Sequence, residues 1–556
     1  MAEASPVVDF NLGEVNEAIA HAIPDRDAIL FRGRRFTYRD LAERTRRLAN
    51  YLLSRGFRVR AERSELAGHE SGQDHLALYL YNGNEYIEGM LGAFKARAAP
   101  VNVNYRYVEE ELVYLLRNCR ARGVIYHAEF APRLEAIRGE LPDLEVLIQV
   151  ADDSGHELLP GAVDYEEVLA ASSPDRPEVP WSPDDLYILY TGGTTGMPKG
   201  VLWRQADIFV AAMGGRRFDG TEYRSLGEIA ENARAGGQVR SLILPPLMHG
   251  AAQWGSFYMF HSGNTIVFPD EPRRLDPVDV FRTIERHRVV SMQIVGDAFA
   301  RPLLDELAKG DYDVSSLKII GSGGAPLSTR NKEEFLDRIP GVTILDTIGS
   351  SETGAQASHP SSREAGVATG RFRPVAGAGV VSADLRRVLG PEDREIGWFS
   401  QTGRVPLGYL GDPEKTARTF PVIDGVRYSI PGDRARYTDS GEIEVLGRDS
   451  VCINTGGEKV FAEEVEHALK LHPAVFDAVV CGRPSERWGE EVVAVVQLRP
   501  GARIREEELL ATCSEHLARY KLPKAFVFRD QIVRSPSGKA DYRWAKEQAA
   551  EVASRG

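Results

Sequence analysis

The sequence predicts an α/β protein with a large N-terminal domain of parallel-rich sheets and covering helices, followed by a small α+β domain. The chain has 556 residues, more than the roughly 250 to 300 at which a single core stops growing. Through most of its length, short apolar strands alternate with amphipathic helices, which is typical of parallel sheet. After Arg448 the pattern changes. We therefore predict an N-terminal domain at 1–447 and a C-terminal domain at 448–556.

The N-terminal alternation begins with an amphipathic helix. Thr37 and Asp40 form a capping-box-like start, and Gly56 ends the segment. Strand, helix and strand patterns follow in HLALYLY, NEYIEGMLGAFKAR and APVNVN. Later apolar segments each lead into a Gly-rich or polar loop, namely DLYILY, SLILPP, PVDVFRTIERHRVVSMQIV, LKIIGSGGAP and VTILD. Because ligands bind beyond the carboxyl ends of strands in open α/β sheets, we expect these loops to form the functional site.

The C-terminal segment has a different order of elements. A helix in EEVEHALKLH precedes two strands, AVFDAVVCG and EEVVAVVQL; a second helix, REEELLATCSEHLARY, precedes a last strand, AFVFRD. About a hundred residues suffice for a small domain of this kind.

Composition excludes several classes of function. The formal net charge of -13 argues against a nucleic-acid partner, since binding to phosphate backbones needs a basic surface. The four cysteines lie far apart without metal-ligand spacing, so neither a disulfide framework nor a zinc site is predicted, and a reducing cytoplasm is expected. No apolar run approaches the roughly 18 to 20 residues of a membrane span, so no transmembrane segment is predicted.

The most informative motif is the segment from Tyr190 to Gly200, YTGGTTGMPKG. Backbone N–H groups exposed at glycines, hydroxyl groups and one lysine, here Lys199, are suited to cradle a polyphosphate. The Walker pattern, in which Gly-Lys-Ser/Thr opens a helix, is missing because Pro198 precedes Lys199. A polyphosphate-binding loop of another kind is therefore predicted at the exit of a strand.

At this loop the chain resembles the adenylate-forming superfamily, which contains acyl-CoA synthetases, luciferases and peptide-synthetase adenylation domains. Other segments resemble the family's motifs in chain order over roughly residues 30 to 545. They are PLMHG around His249, a Gly323-Gly324-Ala325-Pro326 loop, Ile348-Gly349-Ser350-Ser351-Glu352, Gly432-Asp433, Gly447-Arg448-Asp449, Asn454-Thr455-Gly456-Gly457 and Ser537-Gly538-Lys539.

The resemblance implies the adenylate-forming fold, an AMP-forming ligase, and the use of ATP, Mg²⁺ and coenzyme A. Lys539, Glu352, His249 and Thr191 are the implied catalytic residues, with Glu352 as the metal ligand. The implied nucleotide-binding residues are Thr191, Gly192, Gly193, Thr194, Thr195, Gly196, Lys199, Gly323, Gly324, Ala325, Pro326, Ile348, Gly349, Ser350, Ser351, Asp433, Arg448 and Lys539.

Physical chemistry supports three of these roles. A carboxylate such as Glu352 is the hard ligand that Mg²⁺ takes together with substrate phosphates. Asp433 is suited to accept hydrogen bonds from ribose hydroxyls. Because the substrate carboxylate is itself the nucleophile, adenylation needs positioning and positive charge, which Lys539 supplies.

The resemblance also implies a mobile C-terminal domain. Asp449 would be the hinge at which a few loop residues absorb the rotation. Rotation would withdraw Lys539 and present Gly456 and Gly457, the coenzyme A loop, where a thiol must approach closely.

The substrate is predicted less directly. YNGNEYIEGMLGAFKARAAPVNVNYRY, VLWRQAD and DTIGSSETG resemble actinobacterial ligases of sterol side-chain carboxylates, so a steroid acid is the first expectation and a medium- or long-chain fatty acid the alternative. Trp254, Phe257, Met259 and Phe260 are acyl-pocket candidates, although apolar residues at this density are more often core.

Three other functions are compatible with parts of the sequence. An adenylating enzyme could serve a carrier protein, although no carrier domain is fused to the chain. A non-catalytic nucleotide-binding relative would be expected to lack Lys539, Glu352 or the phosphate loop, and a P-loop kinase would form ADP. A homodimer is compatible with the resemblance.

Overall fold

The computed structural model describes residues 8–191, 197–237, 239–455, 458–485, 489–535 and 538–553. The helices of this part of the chain are α1 (Leu12–Ala22), α2 (Tyr38–Ser54), α3 (Asn84–Lys95), α4 (Glu109–Asn118), α5 (Ala131–Ile137), α6 (Tyr165–Ala171), α7 (Gln205–Ala212), α8 (Leu226–Ala235), α9 (Gly250–His261), α10 (Pro277–His287), α11 (Gly296–Leu307), α12 (Thr329–Arg338), α13 (Pro413–Thr419), α14 (Ala462–Lys470), α15 (Glu506–His516) and α16 (Tyr542–Ala553).

The strands of the N-terminal half are β1 (Asp27–Phe31), β2 (Arg34–Thr37), β3 (His75–Tyr79), β4 (Ala99–Asn102), β5 (Ala121–His127), β6 (Val146–Val150), β7 (Val163–Asp164), β8 (Leu186–Thr191), β9 (Lys199–Arg204), β10 (Arg240–Ile243), β11 (Thr265–Val267) and β12 (Ser291–Ile294). The remaining strands are β13 (Ile319–Gly323), β14 (Thr343–Ser350), β15 (Gly354–Ser361), β16 (Arg371–Pro374), β17 (Ala378–Val381), β18 (Val388–Leu389), β19 (Gly397–Thr402), β20 (Gly408–Tyr409), β21 (Val422–Ile423), β22 (Val426–Ser429), β23 (Asp433–Tyr437), β24 (Ile443–Arg448), β25 (Cys452–Thr455), β26 (Glu458–Phe461), β27 (Val475–Ser485), β28 (Gly489–Leu498) and β29 (Ala525–Phe528).

The predicted first amphipathic helix is α2, and its capping box is present. The Asp40 backbone N–H donates to Thr37 Oγ1 at 3.1 Å, and the Thr37 N–H donates to Asp40 Oδ2 at 2.8 Å. The apolar residues at helical spacing are fully buried. Burial of that stripe against neighbouring elements, together with the cap, stabilises the helix.

An eight-stranded sheet has the order β20-β9-β8-β4-β3-β5-β6-β7. Its central strands are parallel, whereas β8 and β9 are antiparallel neighbours that pair Thr191 with Lys199. The two ends of the predicted phosphate loop therefore lie side by side. Its residues 192–196 lie outside the described residues.

A sixteen-stranded sheet contains the second parallel region. The strands β1, β11, β10, β12, β13 and β14 are parallel neighbours in that order. From β14 onward the pairing is antiparallel, through β15, β16, β24, β23, β19, β17 and β18. This antiparallel extension was not anticipated, because its short strands are interrupted by glycine, proline and charged residues that hide any clear periodicity.

A five-stranded sheet begins at Cys452, with the order β26-β25-β28-β27 and with β29 beside β28. The alternating residues Val492, Ala494 and Val496 pack on the side of α14 and α15, while Val493 and Val495 pack with residues of α16. Both faces of β28 are thus buried, which explains its continuous apolar run. The sheet begins close to the predicted boundary at 447, and the division of the chain at that residue stays a proposal.

None of the helices in the described part of the chain combines the length and hydropathy that a membrane-spanning helix needs. The four cysteines are unpaired thiols, three of them buried.

Candidate active site

The carboxyl ends of the parallel strands in the sixteen-stranded sheet bring three predicted motifs together. β10 leads to the segment that ends at His249, β13 leads to Gly324, and β14 ends at Ser350. The register pairs Gly323 with Thr347, so the second and third motifs leave adjacent strands. The loops that the sequence placed beyond strand ends therefore do share one edge.

Two buried asparagines tie the sheets together at this edge. Asn102 donates to the carbonyl of Tyr190 at 2.8 Å and to that of Met248 at 2.6 Å, and it accepts the Tyr190 N–H at 2.6 Å. Asn82 likewise bonds to the backbone of Pro245 and Leu247. The start of the phosphate loop and the His249 segment are thus held against each other. Neither asparagine stands out in the sequence, where each is only a polar residue at or after the end of a strand.

Glu352 lies in the turn between β14 and β15, and it is buried. Its Oε1 accepts the hydroxyl of Tyr409 at 2.7 Å, and its carbonyl accepts the hydroxyl of Ser429 at 2.6 Å. The indole N–H of Trp203 donates to the neighbouring carbonyl of Ser351 at 2.8 Å. The backbone and one carboxylate oxygen are fixed, and Oε2 has no hydrogen bond among the described residues.

The donor set fits a magnesium ion that is shared with a substrate. The described residues contain no group of three or more His, Cys, Asp or Glu side chains arranged to hold a metal. A single oriented carboxylate, Glu352, is what Mg²⁺ requires when phosphate oxygens and water complete its octahedral shell. The residues therefore fit a metal that arrives with a nucleotide rather than a resident metal.

The side chain of Lys199 is held by an ion pair with Asp412. Its Nζ pairs with Asp412 Oδ2 at 2.5 Å, and Asp412 also caps α13 by accepting the N–H of Lys415 at 2.9 Å. The Lys415 ammonium lies 4.5 Å from the centroid of the Tyr409 ring. Burial and the nearby Lys199 lower the pKa of Lys415 while Glu352 opposes that shift, so these groups share one electrostatic environment.

Asp433 and Arg448 face each other across β23 and β24. They are register partners, and Arg448 Nε lies 3.3 Å from Asp433 Oδ1. The pKa of Arg448 is raised because the carboxylates of Asp433 and Glu352 outweigh the effect of burial. The guanidinium is therefore a permanent positive charge beside two acidic groups.

Lys539 enters this cluster from the C-terminal segment. Withdrawal from bulk water and the positive charge of Arg448 lower its pKa, while Glu352 and Asp433 act in the opposite direction. The side chain is exposed to solvent, so Lys539 is not part of the core. The preceding Gly538 has φ +73°, and a Cβ there would come within 3.2 Å of Ala298. The lysine loop thus packs closely on the N-terminal part of the chain.

His249 is the residue immediately before α9, and its Nε2 is buried without a hydrogen-bond partner among the described residues. Burial, with the positive charges of Lys539 and Arg106, lowers its pKa to about 3. The imidazole is therefore neutral at physiological pH. An unpaired buried nitrogen close to Lys539 is available to a bound ligand.

The predicted adenine loop is shaped by glycines. Gly324 has φ +85°, and a Cβ on Gly349 would lie 2.0 Å from the carbonyl oxygen of Gly354. Ile348 is half-buried and packs on the apolar cluster of the antiparallel strands. Part of the aliphatic face expected to support adenine is therefore used within the fold.

The predicted hinge connects β24 to the last sheet. The Asp449 N–H donates to the carbonyl of Gly432 at 3.0 Å, and its Oδ1 lies 3.2 Å from Lys459 Nζ. Gly456 and Gly457, the predicted coenzyme A loop, lie outside the described residues.

The AMP-binding enzyme family model matches residues 17–397, and the AMP-binding enzyme C-terminal domain model matches residues 464–539. The chain belongs to the AMP-binding enzyme family. Within that family it is 57% identical to the medium-chain acyl-CoA ligase Mig of Mycobacterium avium, over 97% of this chain and 98% of that protein. It is 41% identical to the 3-oxocholest-4-en-26-oate–CoA ligase of Rhodococcus rhodochrous, over 97% of this chain and 96% of that one.

Two solved structures of other proteins have the same fold. The anthranilate CoA ligase AuaEII in complex with anthranoyl-AMP matches with a TM-score of 0.83 at 24% identity, covering all of both chains. ATP-bound MatB from Rhodopseudomonas palustris matches with a TM-score of 0.80 at 23% identity, over 98% of this chain and 100% of MatB. The predicted fold class is therefore confirmed.

Some residues of this AMP-binding enzyme's site were missed from the sequence. Tyr409 fixes Glu352, Asp412 holds Lys199, and Glu463 of α14 abuts Gly447, where a Cβ would lie 2.9 Å from its Oε2. The Asp412-Pro413 pair carries the signature of a helix start, and Glu463 that of a charged helix turn. Neither pattern indicates a role in a site.

Proposed function

We propose that this protein is an AMP-forming acyl-CoA ligase that converts a hydrophobic carboxylic acid, ATP and coenzyme A into acyl-CoA, AMP and diphosphate through an acyl-adenylate. The observation that carries the proposal is the cluster in which Arg448 Nε lies 3.3 Å from Asp433 Oδ1, with Lys539 within electrostatic range of Arg448, Glu352 and Asp433. Two cations and two carboxylates in one cluster suit a nucleotide triphosphate that must meet a second anion.

The first half-reaction joins two anions. A substrate carboxylate oxygen forms a bond to the α-phosphorus, the bond between the α- and β-phosphates breaks, and diphosphate leaves. Lys539 would bridge the carboxylate and the α-phosphate, stabilising charge that develops in the transition state. Asp433 would hold the ribose, and the loops at Gly323 and Ile348 would hold the base.

The second half-reaction transfers the acyl group. The thiol sulfur of coenzyme A attacks the acyl carbon, the thiol proton is lost, and AMP leaves. In this proposal Asp449 is the hinge between an N-terminal domain at 1–447 and a C-terminal domain at 448–556, and the loop at Gly456 and Gly457 receives the thiol.

Magnesium would be held by Glu352 with phosphate oxygens and would neutralise charge on the polyphosphate. Tyr409 keeps that carboxylate oriented. His249, neutral and with a free nitrogen, would lie where the acid and nucleotide meet.

Two acid classes are proposed as substrates. The 57% identical relative is named for medium-chain acids, and the 41% identical relative for a sterol side-chain acid. The resemblance of the sequence motifs favours the sterol acid, whereas the higher identity favours medium-chain acids. Phe257 and Phe260 are buried among core aromatic residues, including Tyr38 and Phe94. Trp254 and Met259 are only partly buried against the same core, so these two are the acyl-pocket residues in this proposal.

The deciding experiment is product analysis. The purified enzyme is incubated with ATP, Mg²⁺, coenzyme A and a panel of straight-chain fatty acids and sterol side-chain acids, and AMP, diphosphate and acyl-CoA are measured. AMP with a thioester from one class supports the proposal and names the substrate. Adenylate without thioester would indicate a carrier-protein acceptor, ADP would indicate kinase chemistry, and no adenylate from any acid would refute the proposal.

A cytoplasmic location and a homodimer stay predictions. Unpaired cysteines suit a reducing compartment. Cell fractionation tests the location, and sedimentation velocity tests the oligomeric state.

A further inference from the structure

Charged side chains are buried where α11 contacts α14 and β27 of the C-terminal segment. Four of them expose little surface: Asp297 4%, Arg301 7%, Lys470 8% and Asp477 6%. Charged residues of these types are almost never buried to this extent unless they are paired. None of the four belongs to the proposed catalytic machinery.

Asp297 and Arg301 lie one turn apart on α11. Asp297 Oδ1 accepts the N–H of Ser328 at 2.8 Å and the amide of Asn331 at 2.7 Å. Its Oδ2 lies 3.3 Å from Arg301. α11 starts directly after β12 at the active-site edge, and its Ala298 is the residue that Gly538 contacts.

The partners of this pair come from the C-terminal segment. Lys470, the last residue of α14, places its Nζ 3.5 Å from Asp297 Oδ2. Asp477 on β27 places Oδ1 3.6 Å from Arg301, whose guanidinium also lies 4.9 Å from the centroid of the Phe476 ring. Each side therefore contributes one cation and one anion, and the two ion pairs cross the junction in opposite directions.

The network continues to the lysine loop. Arg534 binds Asp477 through two hydrogen bonds of 2.6 and 2.8 Å, and it donates to the carbonyl of Gly538 at 3.1 Å. Gly538 immediately precedes Lys539, whose N–H donates to Ser535 Oγ at 3.1 Å. A chain of charged contacts thus joins α11 to the backbone that carries Lys539.

The pKa values of the two buried aspartates show that their charges are compensated by neighbouring cations. Burial alone would raise the pKa of Asp297, but Lys470 and Arg301 hold it at about 2. Likewise, Arg534, Lys470 and Arg301 hold the pKa of Asp477 below its usual value in spite of burial. Removing one partner of a buried pair of this kind leaves the other charge buried and uncompensated, so each of these charges depends on its partner across the junction.

We propose that Arg301 is a positioning residue that latches the C-terminal segment in the orientation in which Lys539 faces the nucleotide. Arg301 binds Asp477, and Asp477 transmits the position through Arg534 to the Lys539 loop. This inference rests on the proposed ligase function. In an orientation that withdraws Lys539, these contacts must break and both sets of charges return to water. The latch therefore favours adenylation and opposes thioester formation.

The test measures the two half-reactions separately in Arg301→Gln. Adenylate formation is followed as ATP–diphosphate exchange, and thioester formation is followed from supplied acyl-adenylate and coenzyme A. Loss of the latch is expected to slow adenylation by roughly 5- to 150-fold, the usual range for coupling between two states. Thioester formation is expected to be unchanged or faster, because the competing orientation is less populated.

Two further variants separate positioning from folding. Arg301→Lys keeps the charge and is expected to adenylate at close to the wild-type rate. Arg286→Gln on the neighbouring α10 removes an exposed pair with Asp270 at 2.8 Å and is expected to alter neither half-reaction. Thermal unfolding of each variant shows whether the fold is intact.

The outcomes distinguish the latch from the proposed function. If the wild-type enzyme forms no adenylate from any acid, the function fails. If the wild-type enzyme adenylates and Arg301→Gln slows neither half-reaction, or slows both equally, the latch is refuted. A loss that Arg301→Lys fails to restore would also refute a role for the positive charge.

Discussion

Replacing Tyr409 with phenylalanine tests how the site holds its proposed magnesium ligand. The Tyr409 hydroxyl donates to Glu352 Oε1 at 2.7 Å, and the phenol is 2% exposed. Burial and the charge of Glu352 raise the pKa of Tyr409, so the hydroxyl is protonated and donates throughout the working pH range. The substitution removes that one hydrogen bond with little change in volume.

The expected magnitude follows from the type of contact. A hydrogen bond to a charged group contributes about 1.5 to 3 kcal/mol, which corresponds to roughly tenfold to a hundredfold in an equilibrium constant. Loss of a residue that orients a metal-binding carboxylate usually weakens metal binding by a similar factor, about 10- to 100-fold. We therefore expect Tyr409→Phe to need roughly ten times more free Mg²⁺ for half-maximal adenylation.

The assay is ATP–diphosphate exchange at saturating acid over a range of free Mg²⁺. Tyr312→Phe is the matched control, because its hydroxyl donates to Glu306 Oε1 at 2.6 Å on the surface of α11, away from the site. That variant should keep the wild-type Mg²⁺ dependence. An unshifted Mg²⁺ curve for Tyr409→Phe would refute the view that this hydroxyl orients Glu352 for the metal.

Three other predictions concern Lys539, the hinge residue Asp449 and the buried carboxyl group of Glu463. Lys539→Ala should lower adenylate formation by roughly a hundredfold to a thousandfold and leave thioester formation from supplied acyl-adenylate mostly intact; equal losses would contradict the assigned role. Asp449→Pro removes the N–H that binds Gly432 and restricts φ, so the half-reactions should separate in rate, and normal overall turnover would argue against the hinge. Burial, with nearby Glu466 and Asp433, raises the pKa of Glu463 to about 8. A raised carboxyl pKa means that the folded state binds more protons, so this group lowers stability as pH rises from about 4.5 to about 8. The melting temperature of Glu463→Gln relative to wild type should therefore increase across that range, and a constant difference would contradict the shift.

Much of the fold was predictable from local pattern. The helix at 38–54 was found from its cap and its apolar spacing, and the strands β3, β8, β13 and β14 from short apolar runs that end in polar loops. The shared edge of the loops after β13 and β14 followed from the rule for parallel sheets. The antiparallel strands β15 to β24 were not predicted, because their stability comes from pairing with distant neighbours rather than from an amphipathic period.

The residues of the predicted site were named from local motifs, but some of their contacts were not predictable. Glu352, Asp433, Arg448, His249 and Lys539 were named from short motifs, and in the structure the charges of Glu352, Asp433 and Arg448 act on Lys539, whose own charge acts on His249. Lys199 was expected at the phosphates, yet it pairs with Asp412, more than two hundred residues further along the chain. No local pattern contains that contact.

The sequence by itself determined the reaction class to expect, because the phosphate-loop segment, Glu352 and Lys539 lie in motifs whose residues and order resemble those of the adenylate-forming superfamily. The tertiary structure alone decided which groups hold these residues in place. Asn102, Tyr409 and the α11 pair Asp297 and Arg301 act through contacts across the fold, with partners 57 to 176 residues away in the chain. Such contacts are set by burial and three-dimensional packing, so local patterns in the amino-acid sequence do not reveal them.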